Sequence, residues 1–344
     1  MGTILLKKLK NELEDSIRKA AGLKDIVIVF SRPPDFKLGD IATPLSFELA
    51  KRLKKNPIQI AKDIVDTIIL PEGIEKAETS GGYINFFFDR KYFSEKTVES
   101  IITENGSYGK GEKKNDKVMV EYSQPNTHKS FHIGHLRNVC LGDALANIME
   151  FSGYETVRAN YIGDVGAHVA KCLWGYMKFY DSFIPENNKG EFLGKVYSEA
   201  DNKIKESEEY QEEYKVVLKN LYSGDKKTID VWQMTREWSL EEFNRIYKEL
   251  GVNFDIFLYE SEVKDEGTKI AKELLDKGVA KEKDGAVIVD LKEFGLDEFV
   301  ILRSDGTALY STKDLALAER KFQDFKIDLS LYVVGSEQKF YFKQ

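Results

Sequence analysis

Cysteine is nearly absent from this chain, histidine is scarce, and long apolar runs do not occur at all. Each absence excludes something. The two thiols, Cys140 and Cys172, cannot build a disulfide framework, and both fall in apolar helical patterns where a buried thiol is expected. No apolar run approaches the roughly 18 residues of a membrane span, and residues 3–21 mix Leu5, Leu6, Leu9, Leu13 and Ile17 with many charges. That pattern makes an amphipathic helix rather than a signal peptide, so a cytoplasmic chain without membrane contact is expected. Positive charge is not in excess either: the net charge is −7 and the pI near 5.5, which argues against a general nucleic-acid binder. The total does not decide the matter locally. Acid gathers in Glu199, Asp201, Glu206, Glu208, Glu209, Glu212 and Glu213, whereas Lys51, Arg52, Lys54 and Lys55 form a basic cluster that leaves room for an RNA surface on one side.

What is present is organised around residues 121–135, Glu-Tyr-Ser-Gln-Pro-Asn-Thr-His-Lys-Ser-Phe-His-Ile-Gly-His. Before it, residues 117–122 read as a short buried strand carrying Val118 and Val120; after it, residues 136–151 have apolar residues at helical spacing. Pro125 ends the strand, and Asn126 and Thr127 suit an irregular turn. His132 and His135 therefore stand where a loop enters a helix, beside unpaired N–H groups and the positive end of the helix dipole, a ready place for phosphate. Gly134 would let a ligand approach the backbone. The plainer alternative is a pair of polar capping residues. A metal is not expected, because no third ligand lies at a usual spacing.

The run Pro-Asn-Thr-His-Lys-Ser-Phe-His-Ile-Gly-His resembles the nucleotide-binding signature of class I aminoacyl-tRNA synthetases, and with Glu121-Tyr122-Ser123 in front it is most similar to the arginyl-tRNA synthetase family. The resemblance implies an α/β fold, with a Rossmann-like doubly wound parallel-sheet catalytic domain, a helical insertion and a small α+β domain in front. Strand, helix and strand across residues 117–161, followed by Gly163-Asp164-Val165-Gly166, agree with that sheet. Many members have Gly-Asp-Trp-Gly-Thr-Gln here, so only Gly163, Asp164 and Gly166 carry over.

Residues 1–112 read as the first domain: an N-terminal helix, a β-rich stretch at 26–30, helices at about 44–55 and 57–69, and a glycine turn, Gly81-Gly82, into the aromatic strand 83–88. Alternation puts Tyr83, Asn85 and Phe87 on one face, either as an exposed ring and amide or as a core strand with Tyr83 at its rim. The family begins with a domain that grips the tRNA elbow, and by resemblance Tyr83 and Asn85 would contact a D-loop base. Residues 35–46 also resemble a Gly-Asp segment of that domain, with Leu38 where a histidine is expected. Residues 113–344 then read as the catalytic domain, interrupted by a charged helical insertion over about 178–261 in which Trp232 and Trp238 pack a core. Beyond it come a helix at 268–277, a strand at 286–291, a hairpin over 299–310 closed by Ser304-Asp305-Gly306, and Thr312 placed to cap a helix starting near Lys313. A buried strand, 331–334, leads to residues 335–338. No Lys-Met-Ser-Lys-like loop follows, so a fragment with impaired or no turnover is expected.

Arg-Ser-Asp-Gly-Thr-x-Leu-Tyr-Ser-Thr-Lys-Asp resembles the family's arginine-specific segment. It implies Tyr310 and Asp314 on the guanidinium, Asn126 and Gln338 at the α-amino end, and Glu121 at either. By the same resemblance His132 and His135 donate to phosphate oxygens, Lys129 neutralises the phosphates, Gly134, Gly163 and Asp164 help hold ATP, and Mg²⁺ arrives with ATP. The partners implied are L-arginine, ATP and tRNA(Arg), with the chain acting as a monomer. Two other readings stand beside this one. One is a non-catalytic arginine- or tRNA-binding protein of the same fold; the other is a synthetase for cysteine or glutamate, which lacks the zinc ligands and leaves Tyr310 and Asp314 unexplained.

Overall fold

The computed structural model describes residues 3–23, 25–304 and 310–344; of these, Thr3, Ile4, Lys264, Asp265, Thr268 and Tyr310 are described through their backbone alone. The chain divides into two compact units, residues 1–110 and 111–344.

In the first unit the elements are α1 (Thr3–Ala21), β1 (Ile41–Thr43), α2 (Leu45–Leu53), α3 (Pro57–Thr67), β2 (Ile74–Ser80), β3 (Tyr83–Phe88) and α4 (Arg90–Glu104). The strands form an antiparallel sheet in the order β1-β3-β2. Gly81 and Gly82 both have positive φ, which makes the β2–β3 turn possible. β3 is central and sends Ile84, Phe86 and Phe88 into a core with Leu9, Leu13 and Ile17 of α1, Leu45 and Leu49 of α2, and Ile60 and Ile64 of α3. Asn56 caps α3 by accepting from Ile58 N at 2.8 Å, with Pro57 in the first turn where its missing N–H costs nothing.

One expectation fails in this unit, and of the two readings of β3 the core strand with Tyr83 at its rim is the one observed. Residues 26–30 form no strand: Ile26 and Ile28 are buried while Val27 and Val29 are 72% and 60% exposed, so the alternation is there, but only Ser31 bridges to Ala42. The open face of β3 is also not uniform. Tyr83 is 45% exposed, its ring edge-on to Phe47 with centroids 5.2 Å apart, whereas Asn85 is only 5% exposed. The chain at Gly39 covers it, so closely that a Cβ there would lie 3.4 Å from Asn85 Cβ.

The second unit contains β4 (Lys117–Glu121), α5 (Ile133–Phe151), β5 (Glu155–Ile162), α6 (Ala167–Phe179), α7 (Lys189–Glu206), α8 (Glu208–Ser223), α9 (Lys226–Leu250), β6 (Ile256–Tyr259), α10 (Lys264–Asp276), β7 (Lys281–Lys283), β8 (Ala286–Val289), β9 (Phe299–Leu302), α11 (Tyr310–Phe325), β10 (Leu329–Tyr332) and α12 (Lys339–Lys343). A four-stranded parallel sheet runs in the order β10-β4-β5-β6, and β7-β8-β9 make a small antiparallel sheet. This is the Rossmann-like arrangement expected. The chain leaves β4 for β5 on one side and returns as β10 on the other, so the sheet reverses direction beside β4, where ligands of such sheets bind. Val118, Met119 and Val120 are wholly buried, as a central parallel strand requires.

Helices α6 to α9 fill the connection from β5 to β6, with Val169, Leu173, Trp174, Ala200 and Ile204 in their core, joined by partly buried Trp232; Trp238 packs beside Tyr176 and Leu193. The helical stretch expected over 178–261 in fact closes with β6, a sheet strand at its end. β10 lies at the sheet edge and is half-buried rather than buried. Cys140 is exposed, contrary to expectation, because it sits on the outer face of α5; Cys172 is buried. α11 starts at Tyr310, earlier than expected, so Thr312 lies inside its first turn and donates to Ile301 O instead of capping. β9 pairs with β8, and residues 305–309, where the tight turn of the hairpin was expected to end, lie outside the described residues. Among the described residues no helix is long and apolar enough to cross a membrane.

Candidate active site

The carboxyl ends of β4, β5, β6 and β10 open into a cleft of about 1190 Å³. Glu121, Asn126, His132, Gly134, His135, Gly163, Asp314 and Gln338 all line it, although they come from four separate stretches of chain.

One wall is the start of α5. His132 is its N-cap: His132 Nδ1 accepts from Gly134 N at 3.1 Å while His135 Nδ1 accepts from His132 N at 3.3 Å, a reciprocal capping box built from two imidazoles. The rings stack with centroids 3.9 Å apart. Burial, then the neighbouring His132 and Lys129, hold the His135 pKa down at about 4, so this ring is neutral near pH 7. Since each Nδ1 accepts from a backbone N–H, the proton of a neutral ring resides on Nε2, the atom left to donate to a ligand. Capping and phosphate donation are therefore compatible roles for this pair. Gly134 serves the cap itself, because a Cβ there would stand 2.9 Å from the His132 ring.

The loop from β4 to α5 is laid against β5. Asn126 bridges to Gly163, and the approach is so close that a Cβ at Gly163 would strike the Asn126 amide oxygen. His128 is fully buried, and burial takes its pKa down to about 3.

The opposite wall holds three carboxylates. Glu121 Oε1 accepts from Gln124 Nε2 at 2.7 Å, and its Oε2 pairs with Lys321, whose ammonium also lies 4.2 Å from the centroid of the Tyr332 ring. Glu260 pairs with Lys313 at 2.6 Å, and burial raises its pKa against that attraction. Asp314 accepts from Tyr341 Oη. Among the described residues no lysine or arginine pairs with Asp314, and burial above all, assisted by Glu121 and Glu260, lifts its pKa to about 6. Two buried acids and the half-buried Asp314 thus face two buried ammonium groups, and the deficit falls on Asp314.

Several expected assignments change here. Glu121 is not an open anion, because Lys321 already neutralises it. Asp164 does not line the cleft. It is fully buried and accepts from Arg236 Nε at 2.8 Å, Ser261 N at 2.9 Å and Ser261 Oγ at 2.7 Å, which ties the end of β5 to α9 and the turn after β6. Lys129 does not line the cleft either; its ammonium sits 5.0 Å over the Tyr197 ring and reaches His135 only through its field. The Tyr310 side chain lies outside the described residues. Lys321, Tyr341, Glu260 and Lys313 escaped sequence reasoning. A signal existed for Lys321: it follows Asp314 by two helical turns, so both fall on one face of α11 with the buried Leu317 between them.

Residues 97–344 match the family of class I tRNA synthetases (R), catalytic domain, and residues 7–88 match the arginyl tRNA synthetase N terminal domain. An arginine–tRNA ligase of Bdellovibrio bacteriovorus is 40% identical over 97% of this chain and 59% of its own length. Among solved structures, Thermus thermophilus arginyl-tRNA synthetase superposes with a TM-score of 0.56 at 29% identity, over 92% of this chain and 53% of that one. The Plasmodium falciparum arginyl-tRNA synthetase gives a TM-score of 0.68 over 98% of this chain and 60% of that one, a likeness of fold at 20% identity. The chain spans about three-fifths of the length of the curated relatives it matches. With an N-terminal-domain match, a catalytic-domain match covering most of the chain, and a parallel sheet whose cleft joins a histidine-capped helix to buried acids, this chain belongs to the class I arginyl-tRNA synthetase family.

Proposed function

We propose that the cleft activates L-arginine with ATP for transfer to tRNA(Arg). The observation that carries this reading is Asp314, a half-buried carboxylate without a cationic partner among the described residues, set in the same cleft as a pair of imidazole donors. A guanidinium supplies the missing charge and presents a planar fork of donors that a carboxylate meets with two bonds. Asn126 and Gln338, both at the cleft, suit the α-amino end. The arginine carboxylate then attacks the α-phosphorus of ATP, the bond to pyrophosphate breaks, and the tRNA 3′-terminal ribose hydroxyl later displaces AMP from the adenylate. His132 and His135 donate to phosphate oxygens as charge develops, each worth about 3 kcal/mol by the measure of single oxyanion donors. Mg²⁺ fits as a companion of the nucleotide phosphates rather than as a resident ion, since lysines already neutralise two of the three cleft acids. These partners meet in the cytoplasm, and the chain works as a monomer under this reading.

Calorimetric titration of arginine, lysine and citrulline in the presence of an ATP analogue and Mg²⁺ tests the reading. Arginine alone should bind saturably; equal heats from citrulline would end the case for a charged fork. The affinity should also depend on pH. Asp314 must be ionised to hold the guanidinium, so affinity holds above pH 6 and falls by about tenfold for each unit below it, with a proton released on binding near pH 6. A flat profile from pH 7.5 to 5 would remove Asp314 from the contact.

In the first unit, exposed Tyr83 supports a stacking platform for a tRNA base, while buried Asn85 does not present its amide to one. Tyr83→Ala should weaken tRNA(Arg) binding by about 1–3 kcal/mol in a filter or fluorescence titration and leave arginine binding unchanged. Equal tRNA affinity in both proteins would make Tyr83 only the rim of the core.

A further inference from the structure

Three non-glycine residues between β4 and α5 have left-handed backbone: Ser123 at φ 75°, Gln124 at φ 50° and His128 at φ 64°. Such conformations are costly and persist only where the surroundings hold them. In all three the backbone N–H is taken by a side-chain oxygen from another element. Ser123 N donates to Asn138 Oδ1 at 2.9 Å and His128 N to Ser239 Oγ at 2.9 Å; Gln124 N is shared between Asn160 Oδ1 at 3.2 Å and Tyr122 O at 3.1 Å.

These oxygens are themselves fixed. Asn138 Nδ2 donates to Val333 O at 2.7 Å, and Asn160 Nδ2 donates to Tyr247 Oη at 3.0 Å. Tyr247 Oη in turn lies 2.7 Å from Ser123 Oγ. His128 is held at both ring nitrogens as well as at its backbone. His128 Nε2 lies 2.8 Å from Thr235 Oγ1 and Nδ1 lies 2.9 Å from Thr127 Oγ1, so both nitrogens of the neutral ring have hydroxyl partners. Asn160, His128, Thr235 and Ser239 are all buried, so no water replaces a lost partner.

We propose that Asn138, Asn160 and Ser239 are positioning residues: they hold the strained loop in the one conformation that delivers His132 and His135 to the head of α5. Ser239 comes from α9, so the helical connection between β5 and β6 supplies part of the nucleotide site without touching nucleotide. This rests on the reading of the cleft as an ATP site.

Ser239→Ala, which removes one oxygen and adds no bulk, tests it on the whole chain. An ATP analogue with Mg²⁺ should bind about tenfold more weakly by calorimetry, the population change that one left-handed residue released from its restraint can produce. Deuterium uptake should quicken over residues 123–135 while α9 keeps its protection. If the parent chain binds the analogue and the variant binds equally well, or if uptake rises along α9 instead, Ser239 is merely structural and the inference falls. If the parent chain binds no nucleotide, the reading of the cleft falls; unchanged uptake over 123–135 would then overturn the positioning role on its own.

Discussion

Replacing Asp314 by asparagine should abolish measurable arginine binding and at the same time make the second unit more stable. Binding is lost because a guanidinium would enter a buried site without its counter-charge, which costs about 3–5 kcal/mol, more than a hundredfold in affinity. Stability moves the other way because the carboxylate has a folded-state pKa of about 6 against an ordinary 3.8. A carboxyl raised in this manner stabilises the fold below pH 3.8, and the contribution is lost as pH rises through 6, leaving a cost at pH 7.5 of about 1–3 kcal/mol. Asparagine removes that cost and can still accept from Tyr341 Oη. Calorimetry of the two proteins should show the variant melting several degrees higher at pH 7.5, by about 2–4 °C per kcal/mol, and the gap closing below pH 4. A variant that melts lower at neutral pH would mean that Asp314 has a cation after all.

The second large effect lies beneath the cleft. Lys321→Met should destabilise the second unit by about 3–5 kcal/mol, because the buried Glu121 carboxyl would be left with no partner but Gln124. Adding Glu121→Gln should recover much of the loss, since an uncharged pair of similar volume suits an interior better than one orphaned charge. Denaturant unfolding of the four proteins of the cycle gives the coupling directly. Additive losses would show that the two side chains are merely neighbours.

The alternation of strand, loop and helix around residues 117–162 was legible because a parallel strand buried on both sides reads as an unbroken apolar run, and because Pro125 and two histidines mark the loop and the helix start. β2 was not, since its exposed Glu75, Lys76 and Glu78 look like loop; nor was β6, four residues at the tail of a long helical stretch. Asn85 shows the limit of alternation, which names the face of a strand but not whether a distant loop covers it. Asp314 was reached through resemblance to the family, while its uncompensated charge depends on where Lys321 and Lys313 spend theirs, which is a property of packing.

The pairing of β10 with β4 bears on how the cleft comes into being. Leu329 lies opposite Val118, and Tyr332 opposite Glu121, so the ladder closes a loop of more than two hundred residues. Closure entropy grows only slowly with loop length, so a ladder between strands this far apart in sequence costs only modestly more than one between nearer strands. Glu121 at the end of β4 meets Lys321 of α11, and Asp314 of α11 meets Tyr341 beyond β10. The charge deficit at Asp314 and the shape of the histidine loop are therefore set through the same strand: Asn138, which holds the loop, donates to Val333 O just past β10, and Tyr341, which holds Asp314, follows a few residues later.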